Sequence, residues 1–303
     1  MKQQPQLDYY EMGADVVAFS STRHGGYSKG SYASFNINRY CGDLEEDIRK
    51  NREALCQVLG ISKRLRERQR VGASAGMGEL CSGMRLRVGG RSTGMRLRVG
   101  ERSTGIDRLI MPHQVHETKV AMVDETFMAL SEDDKQAALE GVDALMTNLS
   151  EVCIGVSTAD CIPLLLYDKE KHAVCAIHAG WRGTVKRIVE KAVKAMTDAY
   201  GTQPQQLIAQ IGPGIHLDSF EVGDEVYDAF DQAGFDMPAI SVKKEKWHID
   251  LPECNRLQLV ASGLLPQNIK VSPVCTFQQS ADYFSARRLG INSGRIFTGI
   301  IIR

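Results

Sequence analysis

Residues 152–183 read V-C-I-G-V-S-T-A-D-C-I-P-L-L-L-Y-D-K-E-K-H-A-V-C-A-I-H-A-G-W-R-G. Two apolar runs, 162–167 and 173–177, flank the polar break Asp168-Lys169-Glu170-Lys171. Short runs rich in strand-forming residues around a polar break predict a β-hairpin. With its midpoint between Lys169 and Glu170, the hairpin sets Cys161 opposite His178. Directly paired side chains in an antiparallel ladder have Cβ atoms about 4.5–5.5 Å apart. That separation suits one metal ion shared by a thiolate and an imidazole, with Zn–S near about 2.3 Å and Zn–N near about 2.0–2.1 Å.

Working outward, further elements follow from pattern. Strands are expected at 16–20, 109–111, 115–123, 142–146, 152–156, 207–211, 269–274 and 296–302. A helix is expected from Asp43, acting as N-cap with Glu46 three residues on, to Gly60. Ser131 caps a short helix that ends near Gly141. Thr184 is expected to cap a helix through Tyr200. On one face of that helix fall Val185, Ile188, Val189, Ala192, Val193 and Met196, and Gly201 is the stop. Two more helices are expected at 222–232 and 252–262. No linker rich in Pro, Gly or Ser divides the chain, so one mixed α+β domain over 1–303 is expected.

The 303 residues are electrically neutral overall, but the sum hides a split. Residues 64–105 hold ten Arg against Glu67, Glu79 and Glu101, a surplus of seven positive charges. The rest carries the opposite balance, which gives no reason to expect nucleic-acid binding. An eleven-residue unit, G-M-R-L-R-V-G-G-R-S-T at 83–93, returns at 94–104 with Glu for one Gly. Two copies are too few for a solenoid, which needs about three or more. The interval 66–105 reads as a basic, flexible insertion made by local duplication; an anion-attracting lid is the other reading. No stretch approaches the ~18 apolar residues of a membrane span. The N-terminus lacks a signal peptide's apolar core, and eight scattered Cys without a C-x-x-C pair form no disulfide framework. A reduced, cytoplasmic setting is the expectation.

Chemistry gathers in a few places. His116, after a strand-like run, would join Cys161 and His178 as a third metal ligand and leave a fourth position open, the arrangement of catalytic zinc. His113 competes with it, since both would share a face if the segment were helical. Asp160 adjoins Cys161. Gly180-Trp181-Arg182-Gly183-Thr184 opens the expected helix, where free N–H groups and the Arg182 fork favour an anion. The Gly- and Ser-dense loop 21–36 offers Arg23 and Asn36. Arg287, Arg288 and Arg295 stand close together near the C-terminus. These residues read as candidate grips for phosphate or another anion.

Jointly the motifs T-x-R-x-G-G (22–26), Y-A-S-F-N (32–36), Q-V-H (114–116), T-A-D-C (158–161), H-A-G-W-R-G (178–183), I-G-P-G-I with F-E-V-G (211–223), and F-S-x-R-R with S-G-R are specific. The chain resembles the YfiH-like laccase-domain family, labelled multicopper polyphenol oxidoreductases and associated with purine nucleoside phosphorylase activity. The likeness covers nearly the whole chain except 66–105. It implies an α-β-β-α layered domain with zinc on His116, Cys161 and His178. It also implies phosphorolysis of adenosine, inosine, guanosine and methylthioadenosine, and adenosine deamination in some members. Purine nucleosides and inorganic phosphate are then the expected partners. Asp160, Cys161 and Arg182 are the catalytic candidates, with Asp160 as proton shuttle. Arg23, Asn36, Arg182, Arg287 and Arg288 would bind substrate or phosphate. Two positions depart from the family pattern: Gly214 stands where Cys is frequent, and Leu289 follows the arginine pair where Asp is common.

A copper phenol oxidase is the alternative, because one Cys and two His also suit Cu2+. Only seven His are present and none forms an H-x-H pair. A non-catalytic docking protein with a structural zinc, and a cysteine hydrolase pairing Cys161 with His178, are two further readings.

Overall fold

The computed structural model describes residues 4–61 and 105–303. The tandem repeat and the expected insertion, Gly105 excepted, lie outside the described residues. Two large sheets carry the architecture. One has the order β1 (Leu7–Tyr10), β2 (Val16–Ser21), β14 (Ile296–Ile302), β6 (Cys153–Thr158), β3 (Leu109–Ile110). The other runs β13 (Ile269–Val271), β9 (Ile208–Ile211), β7 (Ile162–Asp168), β8 (Ala173–Ala179), β5 (Ala144–Thr147), β4 (Val120–Met122). A small third sheet joins β10 (Glu221–Val222), β12 (Trp247–Ile249) and β11 (Ser241–Lys243).

The sheets stack because both faces of each are apolar. Between them lie Ala18, Ile154, Val156 and Ile300 of the first and Leu145, Leu165, Tyr167 and Ala176 of the second. The second sheet's outer face, with Leu164, Leu166, Cys175 and Ile177, packs on Ile188, Val189, Ala192 and Leu259 from the helices Ile188–Tyr200 and Leu251–Ala261. The first sheet's outer face, with Phe19, Cys153, Phe297 and Ile301, packs on Leu55, Cys56 and Leu59 of the helix Glu45–Leu59. The result is the layered α-β-β-α arrangement expected. A strand buried on both faces reads as a continuous apolar run, which is why I-P-L-L-L-Y carries no alternation. Among the described residues, no helix is long and apolar enough to cross a membrane.

Several expectations are corrected. The hairpin forms, but its register is displaced by two residues: Ile162 pairs with Ala179, Pro163 with His178, and Asp168 with Ala173. Asp168 belongs to the strand, where its Oδ1 accepts the N–H groups of Glu170 and Lys171 at 3.0 and 3.1 Å and closes the turn. His172, at φ 48°, supplies the left-handed residue. A displacement of two keeps every side chain on its expected face. The helix after the hairpin is two helices, Trp181–Val185 and Ile188–Tyr200, broken at Arg187 with φ 63°. Leu44, rather than Asp43, occupies the N-cap of the helix Glu45–Leu59. Asp43 instead accepts from Ser28 Oγ at 2.6 Å and Asn36 Nδ2 at 2.9 Å. Between 115 and 123 only Val120–Met122 is strand, because a buried carboxylate gathers the preceding N–H groups. Ser131 and Gly201 cap as expected.

Candidate metal centre

The site lies where β6 and β8 end and β5 and β14 begin. Cys161 stands in the bend between β6 and β7, made by Asp160 at φ 89°. His178 is the penultimate residue of β8 and is buried at 3% exposure. His116, exposed and at φ 65°, comes from the irregular segment before β4. The Cys161 Sγ and one ring nitrogen of each histidine lie within 4.8 Å of one another. The two rings meet edge to face at 4.8 Å between centroids.

Asp143 organises this group. It is wholly buried at the start of β5, in the apolar stretch V-D-A-L-M. Its Oδ1 accepts His178 Nδ1–H at 2.8 Å and the His116 N–H at 3.0 Å, while Oδ2 accepts the Glu117 N–H at 2.8 Å. One carboxylate thus folds the 115–117 segment and fixes the His178 tautomer, leaving Nε2 for the centre. Burial alone would raise the Asp143 pKa, yet His178 and the backbone N–H groups hold it below the ordinary carboxylate value. Burial likewise opposes ionisation of Cys161, but His178 and His116 outweigh it and bring the thiol down to about 6. Burial would lower the His178 pKa; Cys161 and Asp143 reverse that and raise it to about 9. Both shifts run in the direction that favours charge separation between Cys161 and His178.

The donor set fits a divalent ion. It offers one readily ionised thiolate and two imidazoles, one of them oriented by a carboxylate, with no fourth His, Cys, Asp or Glu in the group among the described residues. Gly180 keeps room for it: a Cβ there would lie 2.8 Å from His116 Cδ2 and 2.9 Å from Cys161 Sγ. Gly214 has a similar cause, since a Cβ would meet Ile162 Cδ1 at 2.3 Å and the Asp160 carbonyl at 3.1 Å. The bend carrying Cys161 packs closely against this glycine, with the Asp160 and Cys161 carbonyls 3.1 and 3.3 Å from such a Cβ.

A cavity of about 280 Å³ opens beside the three ligands. Its walls include Asn38, Tyr40, His113, Gln114, Ser157 and Arg295. Gln114 clamps the β6 backbone, donating to the Ser157 carbonyl and accepting the Ser157 N–H, both at 2.8 Å.

Of the other expected site residues, His113 and Arg295 line this cavity, whereas Arg23, Asn36, Asp160, Arg182, Arg287 and Arg288 do not. Arg23 spends its donors on the carbonyls of Ala33 at 3.0 Å and Ser280 at 2.8 Å. Asn36 is fully buried and bonded to Asp43. The carboxylate of Asp160 accepts Thr276 Oγ1–H and the Arg287 N–H, each at 2.7 Å, so it ties the Cys161 bend to the C-terminal loops. Arg182 lies over the Trp181 ring at 4.3 Å, Arg287 over Phe220 at 5.6 Å and Arg288 over Phe277 at 5.1 Å. The arginine on the cavity wall is Arg295, from the S-G-R motif. His113 is not among the three ligands; its segment is not helical, and its Nδ1 bonds Glu140. Sequence reasoning missed Asp143, whose one signal was an acid inside an apolar run.

Comparison with known proteins agrees with the geometry. A purine nucleoside phosphorylase of Bacteroides thetaiotaomicron is 39% identical, over 99% of this chain and 97% of its own. Adenosine deaminase RL5, from an unknown prokaryotic organism, is 39% identical over 97% of each chain. The crystal structure of YlmD from Geobacillus stearothermophilus superposes with a TM-score of 0.76 at 27% identity, over 96% of this chain and 93% of that one. The family model described as multi-copper polyphenol oxidoreductase laccase matches residues 17–74 and 95–303. On that coverage, the chain belongs to the multi-copper polyphenol oxidoreductase laccase family.

Proposed function

We propose that this chain is a zinc-dependent purine nucleoside phosphorylase with adenosine deaminase as a side activity. It would act in the cytoplasm, as one domain, on adenosine, inosine, guanosine and methylthioadenosine. The observation that carries the reading is the three-ligand group His116, Cys161 and His178 lining a cavity of about 280 Å³. Support comes from relatives at 39% identity that are named purine nucleoside phosphorylase and adenosine deaminase and match end to end.

A divalent ion held by the three side chains would supply Lewis-acid activation at the position they leave open. The chain's own residues would do the rest. Asp143 holds His178 and the His116 segment in place. Gln114 and Asn38, both bonded to Ser157, stiffen the cavity floor. Arg295 brings positive charge to the wall, suited to phosphate. Arg182, exposed beside Trp181, remains a second candidate for that anion. In phosphorolysis a phosphate oxygen bonds to C1′ of the ribose as the C1′–N9 bond breaks, and the departing base takes up a proton.

Copper phenol oxidation is the second reading, favoured by the Cys-His-His donor set. All seven histidines of the chain are described, and they form no second ligand cluster among the described residues. A type-1 copper with a three-copper cluster demands more imidazoles than this. The deciding measurement pairs metal content of the purified protein with an assay of inosine and phosphate. About one zinc per chain and phosphate-dependent release of hypoxanthine are expected. Intact inosine at saturating phosphate, with zinc bound, rejects the phosphorylase; several copper ions per chain would favour the oxidase.

A further inference from the structure

The cavity that the metal ligands line also holds a titratable group that the proposed function leaves unused. His113 follows β3 and is strapped by its backbone, its N–H donating to the Leu139 carbonyl at 3.1 Å and its main chain bridging Glu140. Its ring is fixed from two directions. Nδ1 bonds both oxygens of Glu140 at 2.7 and 2.9 Å, and the ring stacks on Tyr40 at 4.1 Å between centroids and 23° between planes. Tyr40 is itself pinned, its N–H donating to Asn38 Oδ1 at 2.6 Å. Nε2 has no protein partner among the described residues, and His113 and Tyr40 both line the cavity.

An imidazole with one nitrogen on a carboxylate and the other unpaired at a substrate cavity is built for proton transfer. The carboxylate contact fixes the ring through Nδ1 and leaves Nε2 unpaired. Stacking on Tyr40 prevents rotation. In this respect His113 is the counterpart of His178: both have Nδ1 held by an acid, but only His178 belongs to the metal group.

We propose that His113, positioned by Glu140 and Tyr40, is the general acid that protonates the departing purine. The inference rests on the phosphorylase reading above. The step balances as follows. A phosphate oxygen forms the bond to C1′, and the C1′–N9 pair goes to the purine. His113 passes its Nε2 proton to N7, so the base leaves neutral. The proton that monohydrogen phosphate gives up on becoming a phosphate ester returns to His113 through solvent. Glu140 touches no substrate and is a positioning residue.

The test compares inosine with 7-methylinosine, whose base already carries a positive charge and leaves without a proton. In the zinc-loaded full chain, His113→Gln should lower kcat/KM for inosine about 100-fold or more, the usual range for removing a general acid. It should leave 7-methylinosine within about fivefold, and zinc per chain unchanged. Glu140→Gln should show the same selectivity at smaller size, in kcat more than in KM, and serves if His113→Gln fails to fold. Equal losses on both nucleosides, undiminished inosine cleavage, or loss of zinc in either variant would overturn the assignment. A zinc-loaded parent protein that cleaves neither nucleoside rejects the phosphorylase reading itself, and the acid with it.

Discussion

At the scale of single residues, the centre is governed by two anions that share His178. Cys161 ionises easily because two imidazoles face it, and its thiol stands near 6 against an ordinary value of 9.0. The sign is that of a depressed acid: the thiolate persists above that pH and is lost as pH falls through it. In metal-stripped protein, alkylation of Cys161 by iodoacetamide should therefore remain fast at pH 7 and decline around pH 6, as peptide mapping across pH would show. Zinc should protect the residue. Asp143 acts one bond further out. Asp143→Asn removes the charge that orients His178 and weakens the clasp on the 115–117 segment. Zinc affinity, read by competition with a chromophoric chelator, should fall about 10–100-fold, as is usual for partners of metal-ligating histidines. An Asp143→Asn protein that binds zinc like the parent would refute that role.

At the scale of elements, the hairpin brings its ligands together by a route different from direct pairing. Asp168 and Ala173 close the ladder, so Pro163, rather than Cys161, faces His178. Cys161 reaches the centre because the bend after β6 turns it there, and Gly180 makes room. Gly180→Ala would place a methyl group within 3 Å of both His116 and Cys161. The expected outcome is unchanged far-UV circular dichroism with zinc affinity reduced about tenfold or more. Strand and helix positions were legible in the sequence because periodicity and caps are local. The shortening of the expected 115–123 strand to Val120–Met122 and the break at Arg187 were not, because both depend on distant partners: Asp143 for the first, the Ala233 carbonyl and the Phe235 ring for the second.

At the scale of the molecule, the two sheets form a platform whose edge is the site. Leu165 is fully buried between them. Leu165→Ala should cost about 2–5 kcal/mol, the usual range for such a truncation, measured by urea unfolding of the zinc-loaded protein. The family match is interrupted over 75–94. A chain lacking 75–94 should therefore keep its zinc and cleave inosine within about twofold of the parent. A large loss would make the basic segment part of the working enzyme.

The sequence alone determined that His116, Cys161 and His178 would form one group and which runs form the two apolar sheets, since residue type and hydrophobic period are written along the chain. It could not determine the hairpin register, the tautomer of His178, the place of Asp143 or the separation of His113 from the metal group. The register follows from the turn that Asp168 closes on Glu170 and Lys171, while the others depend on hydrogen bonds between residues tens of positions apart, 35 in the case of His178 and Asp143. Such contacts exist only once the sheets have packed. Tertiary structure also moved Arg23, Asn36 and Asp160 from the expected site into the scaffold, because their polar atoms found backbone and side-chain partners there first.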